Sequence, residues 1–169
     1  DRLAEGFNDI FLTPGIDDVA ENVLSYEHFE KTRHWYQKWD FSAIEDPKER
    51  ERAGWKLADH YRESIQRAPM EMVKHIVRND RPFTELITAD YIMVSPYTAR
   101  GYGIFEEVRD RFRDPEDRLE YIPVRLPALT GRSEKTNQDS ATGYYPHAGI
   151  LSTFQYLKRY PTTETNRNR

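Results

Sequence analysis

Histidine is the side chain in this sequence best suited to metal or acid–base chemistry, because its ring changes charge near neutral pH and its nitrogens bind metals. The chain has five histidines: His28, His34, His60, His75 and His147. The spacing of His28 and His34 does not place them on one helical face. His60 and His75 fall in amphipathic helical patterns, where a surface or rim position is usual. These four are predicted to play no chemical role.

His147 has a different setting, between Pro146 and Gly149 and directly before an amphipathic segment. A neutral imidazole presented there could ligate a metal or a haem iron, for which histidine is a common axial ligand. The alternative is that His147 only hydrogen-bonds the start of the following helix. The residues by themselves favour that alternative.

The chain carries none of the common catalytic signatures. Glycine-rich phosphate loops, H-E-x-x-H, G-x-S-x-G and the EF-hand pattern are missing. The acidic pairs Asp17–Asp18 and Glu106–Glu107 consist of adjacent residues, whose side chains diverge on any regular element. No catalytic residue and no metal site is predicted. An enzyme would need a pocket lined by His75, Asp90 and Tyr91.

Composition indicates one globular domain of 169 residues. Mean hydropathy is low at −0.89, but aromatic residues make up 13% and bury large areas per side chain. Lys and Arg number 25 against 29 Asp and Glu, a net charge of −4 that disfavours a nucleic-acid partner. Cysteine is absent, which excludes disulfides and covalent haem attachment within the chain.

No apolar run approaches the roughly 20 residues that cross a bilayer, so no membrane span is predicted. The first residues, DRLAEGFNDIF, include neither an initiator methionine nor a positively charged leader region. We therefore expect the chain to be a segment of a longer protein.

Helices dominate the predicted architecture. One helix is expected to begin at Asp46-Pro47, a capped start with proline in the first turn, and to end near Gln66. A second is expected to restart at Ala68-Pro69 and to end near Asn79, so that the two helices are either antiparallel or kinked. Ser95-Pro96 begins a short helix that a following glycine, Gly101 or Gly103, ends.

Other segments are less regular. Extended structure is predicted near Met93 and from Tyr121 to Leu129, and residues 130–142 form a polar loop. A final helix has an apolar face made of Ile150, Leu151, Phe154 and Leu157. The fold class is therefore mainly α: an irregular multi-helix bundle with a long polar loop and little or no sheet.

Two blocks of sequence resemble a known family. The first block is RPFTELITADYIMVSPYTARGYG (Arg81–Gly103), and the second block is PHAGILSTFQYLKRYPTTETNRNR (Pro146–Arg169). They are similar to recurrent phrases of planctomycete-type cytochrome-associated proteins, exported bacterial proteins built from domains of unknown function. Ser95 stands where that family commonly has Asn. The blocks span roughly the second half of the chain, and the first half resembles the family in helical character only.

In that family, the second phrase leads into a portion that carries a C-x-x-C-H haem attachment. The resemblance therefore implies a haem c attached outside this chain, a periplasmic, extracellular or outer-membrane-associated location, and a role near electron transfer. It favours His147 as an axial ligand of the haem iron, or as a residue that supports such a ligand. The expected partners are the remainder of the parent polypeptide or other subunits of a complex.

The chain is accordingly divided into a helical domain (1–105), an irregular connector (106–145) and the start of a cytochrome-like region (146–169) packed on the helical domain. Its predicted function is that of a helical module, not itself an enzyme, which supports electron transfer by packing beside a haem-bearing segment outside the chain. The alternative is a structural or interaction scaffold in a larger periplasmic or cell-surface assembly, with no redox role.

Overall fold

The computed structural model describes residues 6–7, 31–125 and 148–159. Its α-helices there are α1 (Pro47–Arg78), α2 (Glu85–Thr88), α3 (Pro96–Tyr102), α4 (Phe105–Val108) and α5 (Phe154–Arg159). The other described elements are the strands β1 (Ile92–Val94) and β2 (Ile122–Val124) and the 3-10 helices Trp35–Lys38, Arg109–Arg111 and Gly149–Ser152. The prediction of a mainly α fold with little sheet is confirmed.

Helix α1 begins where the sequence predicts. The Asp46 carboxylate accepts a hydrogen bond of 2.8 Å from the backbone N–H of Lys48, and Pro47 occupies the first helical position. The helix ends at Arg78, with Asn79 as its C-cap.

The predicted break at Ala68-Pro69 is wrong, because α1 is one continuous helix of 32 residues with Pro69 inside it. Proline inside a helix costs about 3 kcal/mol, since it lacks the N–H that would bond the preceding turn. Met72 and Val73, in the turn that follows, are 0% and 1% exposed. Burying such side chains yields about 1.5–3 kcal/mol each, which outweighs the proline penalty and keeps the helix intact.

Among the described residues, the core comprises two apolar clusters, and α1 contributes to both. Its first half supplies Ala58, Tyr61 and Ile65 to one cluster, and its second half supplies Met70, Met72, Val73 and Ile76 to the other. Val77, next to Ile76 in the same helix, faces outward and is 52% exposed. The helix is therefore the element on which both clusters are built.

Strands β1 and β2 pair antiparallel, with Ile92 opposite Val124 and Val94 opposite Ile122. Both strands lie in segments predicted to be extended. β1 is buried on both faces: Ile92 and Val94 belong to the first cluster, and Met93 belongs to the second. The alternation of side chains along a strand thus places β1 between the two clusters.

Helix α3 follows its predicted caps closely. The Ser95 side chain accepts from the backbone of Thr98, and the Thr98 side chain accepts from the backbone of Ser95, which makes a reciprocal capping box. Gly103 ends the helix in the left-handed conformation with φ of 73°. Gly101 lies inside the helix, where a Cβ would overlap the hydroxyl of Tyr61.

The last described segment is not a single helix. A 3-10 helix, Gly149–Ser152, is separated from α5 by Thr153 in extended conformation. Ile150 and Phe154 on its apolar face are 2% and 1% exposed, so the predicted face is buried although the helix is interrupted. Gly149 donates its N–H to Ala89 O at 3.1 Å and has φ of 55°.

The connector is described only as far as residue 125. In that part, Tyr121 donates to the carbonyl oxygen of Ser64 at 2.6 Å, and Arg118 forms an ion pair of 2.9 Å with Glu63. These bonds hold the segment against α1. The predicted polar loop at 130–142 lies outside the described residues, and the division into three parts stays a prediction.

Replacing Gly149 by alanine is expected to lower the free energy of unfolding by about 3 kcal/mol or more. A Cβ at this position would overlap the carbonyl oxygen of Leu86, and the positive φ disfavours any L side chain. The measurement is urea unfolding followed by circular dichroism.

Gly54→Ala is the matched control. Gly54 lies within α1, and a Cβ there would meet Phe41 at an ordinary 3.9 Å. Alanine should stabilise the protein by roughly 0.5–1 kcal/mol at this helical position. Equal stability of the two variants would contradict the packing described for Gly149.

Candidate functional site

The first and second blocks, although far apart in the sequence, pack against each other. The rings of Tyr102 and Phe154 are stacked, with centroids 3.7 Å apart and planes at 14°. The Phe154 backbone N–H also donates to the Tyr102 hydroxyl at 2.9 Å. Gly149 lies against the backbone of Leu86, as described above. The described part of the second block therefore shares core contacts with the first block.

One cluster of polar side chains surrounds Tyr91, in the middle of the first block. Tyr91 donates from its hydroxyl to the Glu85 carboxylate at 2.7 Å, and Arg81 bonds the same carboxylate oxygen at 2.7 Å. The ring of His75 meets that of Tyr91 edge to face, with centroids 5.7 Å apart. The polar groups of Tyr91, Arg81 and Glu85 thus find hydrogen-bond partners within the cluster.

The environment shifts the pKa of each group in this cluster. Burial and the bond to Glu85 raise the pKa of Tyr91 to about 12. The hydrogen bonds from Arg81 and Tyr91 lower the pKa of Glu85. Burial, and then the charge of Arg81, lower the pKa of His75. At neutral pH the cluster therefore holds a neutral tyrosine, an ionised glutamate and a neutral histidine.

The sequence named His75, Asp90 and Tyr91 as the lining of a possible enzyme pocket. His75 and Tyr91 are in contact, but Asp90 is 3.4 Å from Arg125, and both of those side chains are largely exposed. The structure therefore brings two of the three residues together as part of the cluster that ties Tyr91 to Glu85 and Arg81.

A second feature is an open groove of about 560 Å³, here called the aromatic groove. It is lined by Thr32, Trp35, Trp39, Arg100, Gly103, Phe105, Glu106, Arg109 and Glu116. Trp35 makes edge contacts with Trp39 at 5.7 Å and with Tyr97 at 5.7 Å. The 3-10 helix at Trp35–Lys38 and the α3–α4 corner supply most of the wall.

Arg100 is the centre of this groove. Its guanidinium carbon lies 3.7 Å from the ring centroid of Phe105 and 5.2 Å from that of Trp39. The guanidinium donates to Glu116 at 3.1 Å and to the carbonyl oxygen of Pro96 at 3.1 Å. Burial lowers the pKa of Arg100, but its ordinary value is so high that the side chain remains charged.

The other histidines have varied settings. His28 and His147, together with Asp17 and Asp18, lie outside the described residues. His34 adopts a left-handed conformation, with Nδ1 3.1 Å from the Tyr36 hydroxyl. Burial, and then the charge of Arg118, lower the pKa of His60. The role of His147 thus stays a prediction.

Reasoning from the sequence missed the aromatic groove. Tyr36, between the two tryptophans that line the groove, is buried in the first apolar cluster at 8% exposed. Trp39 is 40% exposed and lines the groove. The sequence did not single out Arg100, because Trp35 and Trp39 come from a distant segment that only the fold brings beside it.

Within the described ranges, no group of three or more His, Cys, Asp or Glu residues is arranged to hold a metal ion. In the same part of the chain, no helix has the length and apolar character that crossing a bilayer requires.

Comparison with known protein families gives one match. A family model described as "Protein of unknown function (DUF1592)" matches residues 16–104. The match includes the first block but starts well before it, so the resemblance is not confined to the second half of the chain. The second block lies beyond the matched range. No curated protein and no solved structure matches the chain.

The Tyr91→Phe variant is expected to lose about 1–2 kcal/mol of stability at neutral pH, because the hydrogen bond to the charged Glu85 disappears. In the parent chain, the raised pKa of Tyr91 gives stability that is complete below pH 10, where the unfolded tyrosine is also neutral. That contribution is lost as the pH rises from 10 through about 12.

Urea titrations between pH 8 and pH 12 would check this prediction, and the decline should be shallower in the variant. A remaining decline is expected, because burial also raises the pKa of Tyr97 and of Tyr121. Identical pH profiles of the variant and the parent chain would show that Tyr91 is not coupled to folding.

The Arg100→Lys variant is expected to lower the free energy of unfolding by about 1–3 kcal/mol. An ammonium group keeps the charge but lacks the planar face that lies over Phe105 and the fork that reaches both Glu116 and Pro96. Arg109→Lys, in the same groove but exposed, should change stability by no more than about 0.5 kcal/mol. Chemical denaturation measures the free energy of unfolding of both variants. Equal losses of stability would contradict a structural role of the Arg100 guanidinium.

Proposed function

The chain belongs to the DUF1592 family of proteins of unknown function, and from this membership and the packing of its two blocks we propose that it is a helical module of an exported c-type cytochrome-like protein. The module is non-catalytic. It supports electron transfer by holding a haem-bearing segment outside this chain against its helical body, in the periplasm or at the cell surface.

The observation that carries the proposal is the anchoring of the second block. Ile150 lies in one apolar cluster and Phe154 in the other, and Gly149 is fixed against α2. The block is the part of the sequence that, by resemblance, leads toward the haem-attachment motif. A segment joined to it would therefore be tethered to a rigid support rather than to a free chain.

An apolar surface beside this anchor supports the same proposal. Helix α2 carries Leu86, whose backbone receives Gly149, and the residues Phe83 and Ile87 next to it are 51% and 56% exposed. The haem macrocycle is largely apolar, and a segment that carries it needs an apolar surface to pack on. The residues near the anchor fit that requirement.

His147 is the residue proposed to face the haem. Ala148, which follows it, is held by a 2.7 Å hydrogen bond from its N–H to the Ser152 side chain. A c-type haem supplies one-electron transfer when bound, and the chain has no cysteine to attach it. The contribution of this chain is then the axial or supporting imidazole and the exclusion of water from one haem face.

The test is made on the full-length parent polypeptide, with its haem content and mass measured first. A covalently bound haem is expected, and the His147→Ala variant should change its absorption spectrum or shift its midpoint potential. His34→Ala is the matched control, because His34 bonds Tyr36 locally. It should leave both properties unchanged.

Three outcomes would overturn parts of the proposal. A full-length protein without haem removes the redox role, and a stable haem-free assembly with other subunits would favour the structural scaffold. An unchanged spectrum and potential in His147→Ala removes the haem-facing role of that residue.

A separate experiment tests the packing surface. Ile87→Ser should make the haem more accessible to an external reductant, whereas Trp55→Ser, at a position 61% exposed on α1, should not.

A further inference from the structure

The proposed function makes no use of the aromatic groove. The groove combines exposed aromatic surface with side chains that donate and accept hydrogen bonds. Its volume of about 560 Å³ falls within the roughly 300–1,000 Å³ of pockets that bind small ligands. Its composition decides which class of ligand it fits.

The charges of the groove cancel. Arg100 is paired with Glu116 at 3.1 Å, and its side chain is only 9% exposed. Glu106 and Arg109 are both exposed and add one charge of each sign. A ligand with a net charge would find no excess of opposite charge here, so the groove is suited to a neutral ligand.

The aromatic walls also do not form a site for a cationic ligand. Aromatic cages bind ammonium groups, but this one already holds the guanidinium of Arg100, 3.7 Å from the Phe105 centroid and 5.5 Å from the Trp35 centroid. The position that a ligand cation would occupy is therefore filled by the protein itself.

Trp39 provides aromatic surface that remains available to a neutral ligand. It contacts Trp35 and Arg100, yet it stays 40% exposed in a concave part of the molecule. The face of an aromatic ring is electron-rich, and it attracts C–H groups that carry a partial positive charge. One face of a pyranose ring is made of such C–H groups.

We infer that the aromatic groove binds a neutral oligosaccharide. A sugar ring stacks on the exposed indole of Trp39, and its hydroxyl groups bond the carboxylate of Glu106 and the guanidinium of Arg109. Hydroxyls both donate and accept, so a neutral sugar can use the acceptor Glu106 and the donor Arg109 together and leaves the charge balance of the groove unchanged. The site thus gives the module an affinity for glycan chains that is independent of any haem.

The experiment is native affinity electrophoresis of the full 169-residue chain in gels that contain a soluble polysaccharide. The neutral probes are mixed-linkage β-glucan, xyloglucan and galactomannan, and dextran sulfate is the charged comparison. At least one neutral polysaccharide should retard the protein. Retardation by none of them, or by dextran sulfate alone, would overturn the inference.

Trp39→Ala should weaken the affinity for the polysaccharide, measured from the retardation, about tenfold, because it removes the stacking surface. Trp55→Ala is the matched control, because Trp55 is also exposed but does not line the groove. It should behave like the parent chain. Equal weakening in both variants would show that any exposed indole suffices and that the groove is not the site.

A second pair of variants keeps the test decisive if Trp39→Ala does not fold. The double variant Glu106→Ala/Arg109→Ala removes one charge of each sign from the groove surface. Glu51→Ala/Arg52→Ala removes the same charges from exposed positions of α1. Only the groove variant should lose binding, and retained binding in that variant would contradict the assignment of the hydroxyl contacts.

Discussion

The close contact among Tyr61, Gly101 and Phe154 is the constraint on which the described fold depends. Tyr61 comes from the long helix α1, Gly101 from α3 and Phe154 from the last described segment. A Cβ at Gly101 would overlap the Tyr61 hydroxyl and would lie 3.2 Å from the Phe154 ring. The absence of that one carbon lets three distant parts of the chain share a core, and the Tyr102–Phe154 stack then closes it.

Helix α1 supplies the frame for this contact. It continues through Pro69 because buried side chains on both sides outweigh the loss of one hydrogen bond. The two apolar clusters therefore sit along one rigid axis, and β1 and the segment 148–157 each contribute to both. A segment attached to the second block would be positioned by both clusters rather than by one, which is the physical basis of the anchoring role proposed for the module.

The described polar side chains differ in their partners between the Tyr91 cluster and the aromatic groove. Around Tyr91, the groups satisfy one another, so their shifted pKa values are tied to folding. In the aromatic groove, Arg100 is satisfied by the protein, but Trp39, Glu106 and Arg109 keep exposed surface. The Tyr91 cluster therefore stabilises the fold, whereas the exposed surface of the aromatic groove is the basis for the ligand binding proposed there. Haem support and glycan binding would then reside on separate residues of one module.

The sequence by itself determined the local features: the capped starts at Asp46 and Ser95, an end of α3 at either Gly101 or Gly103, and the mainly α character. Each depends on residues close together in the chain, where side-chain chemistry acts directly on the backbone. The sequence also identified the two blocks by their family resemblance and predicted that 146–169 packs on the helical domain, but it did not indicate that Tyr102 and Phe154 make the contact. Only the tertiary structure decided that Pro69 lies inside a helix, that Gly101 is a packing position and that Arg100 sits in an aromatic cage. Those outcomes depend on burial by residues far apart in the chain, which no local pattern records.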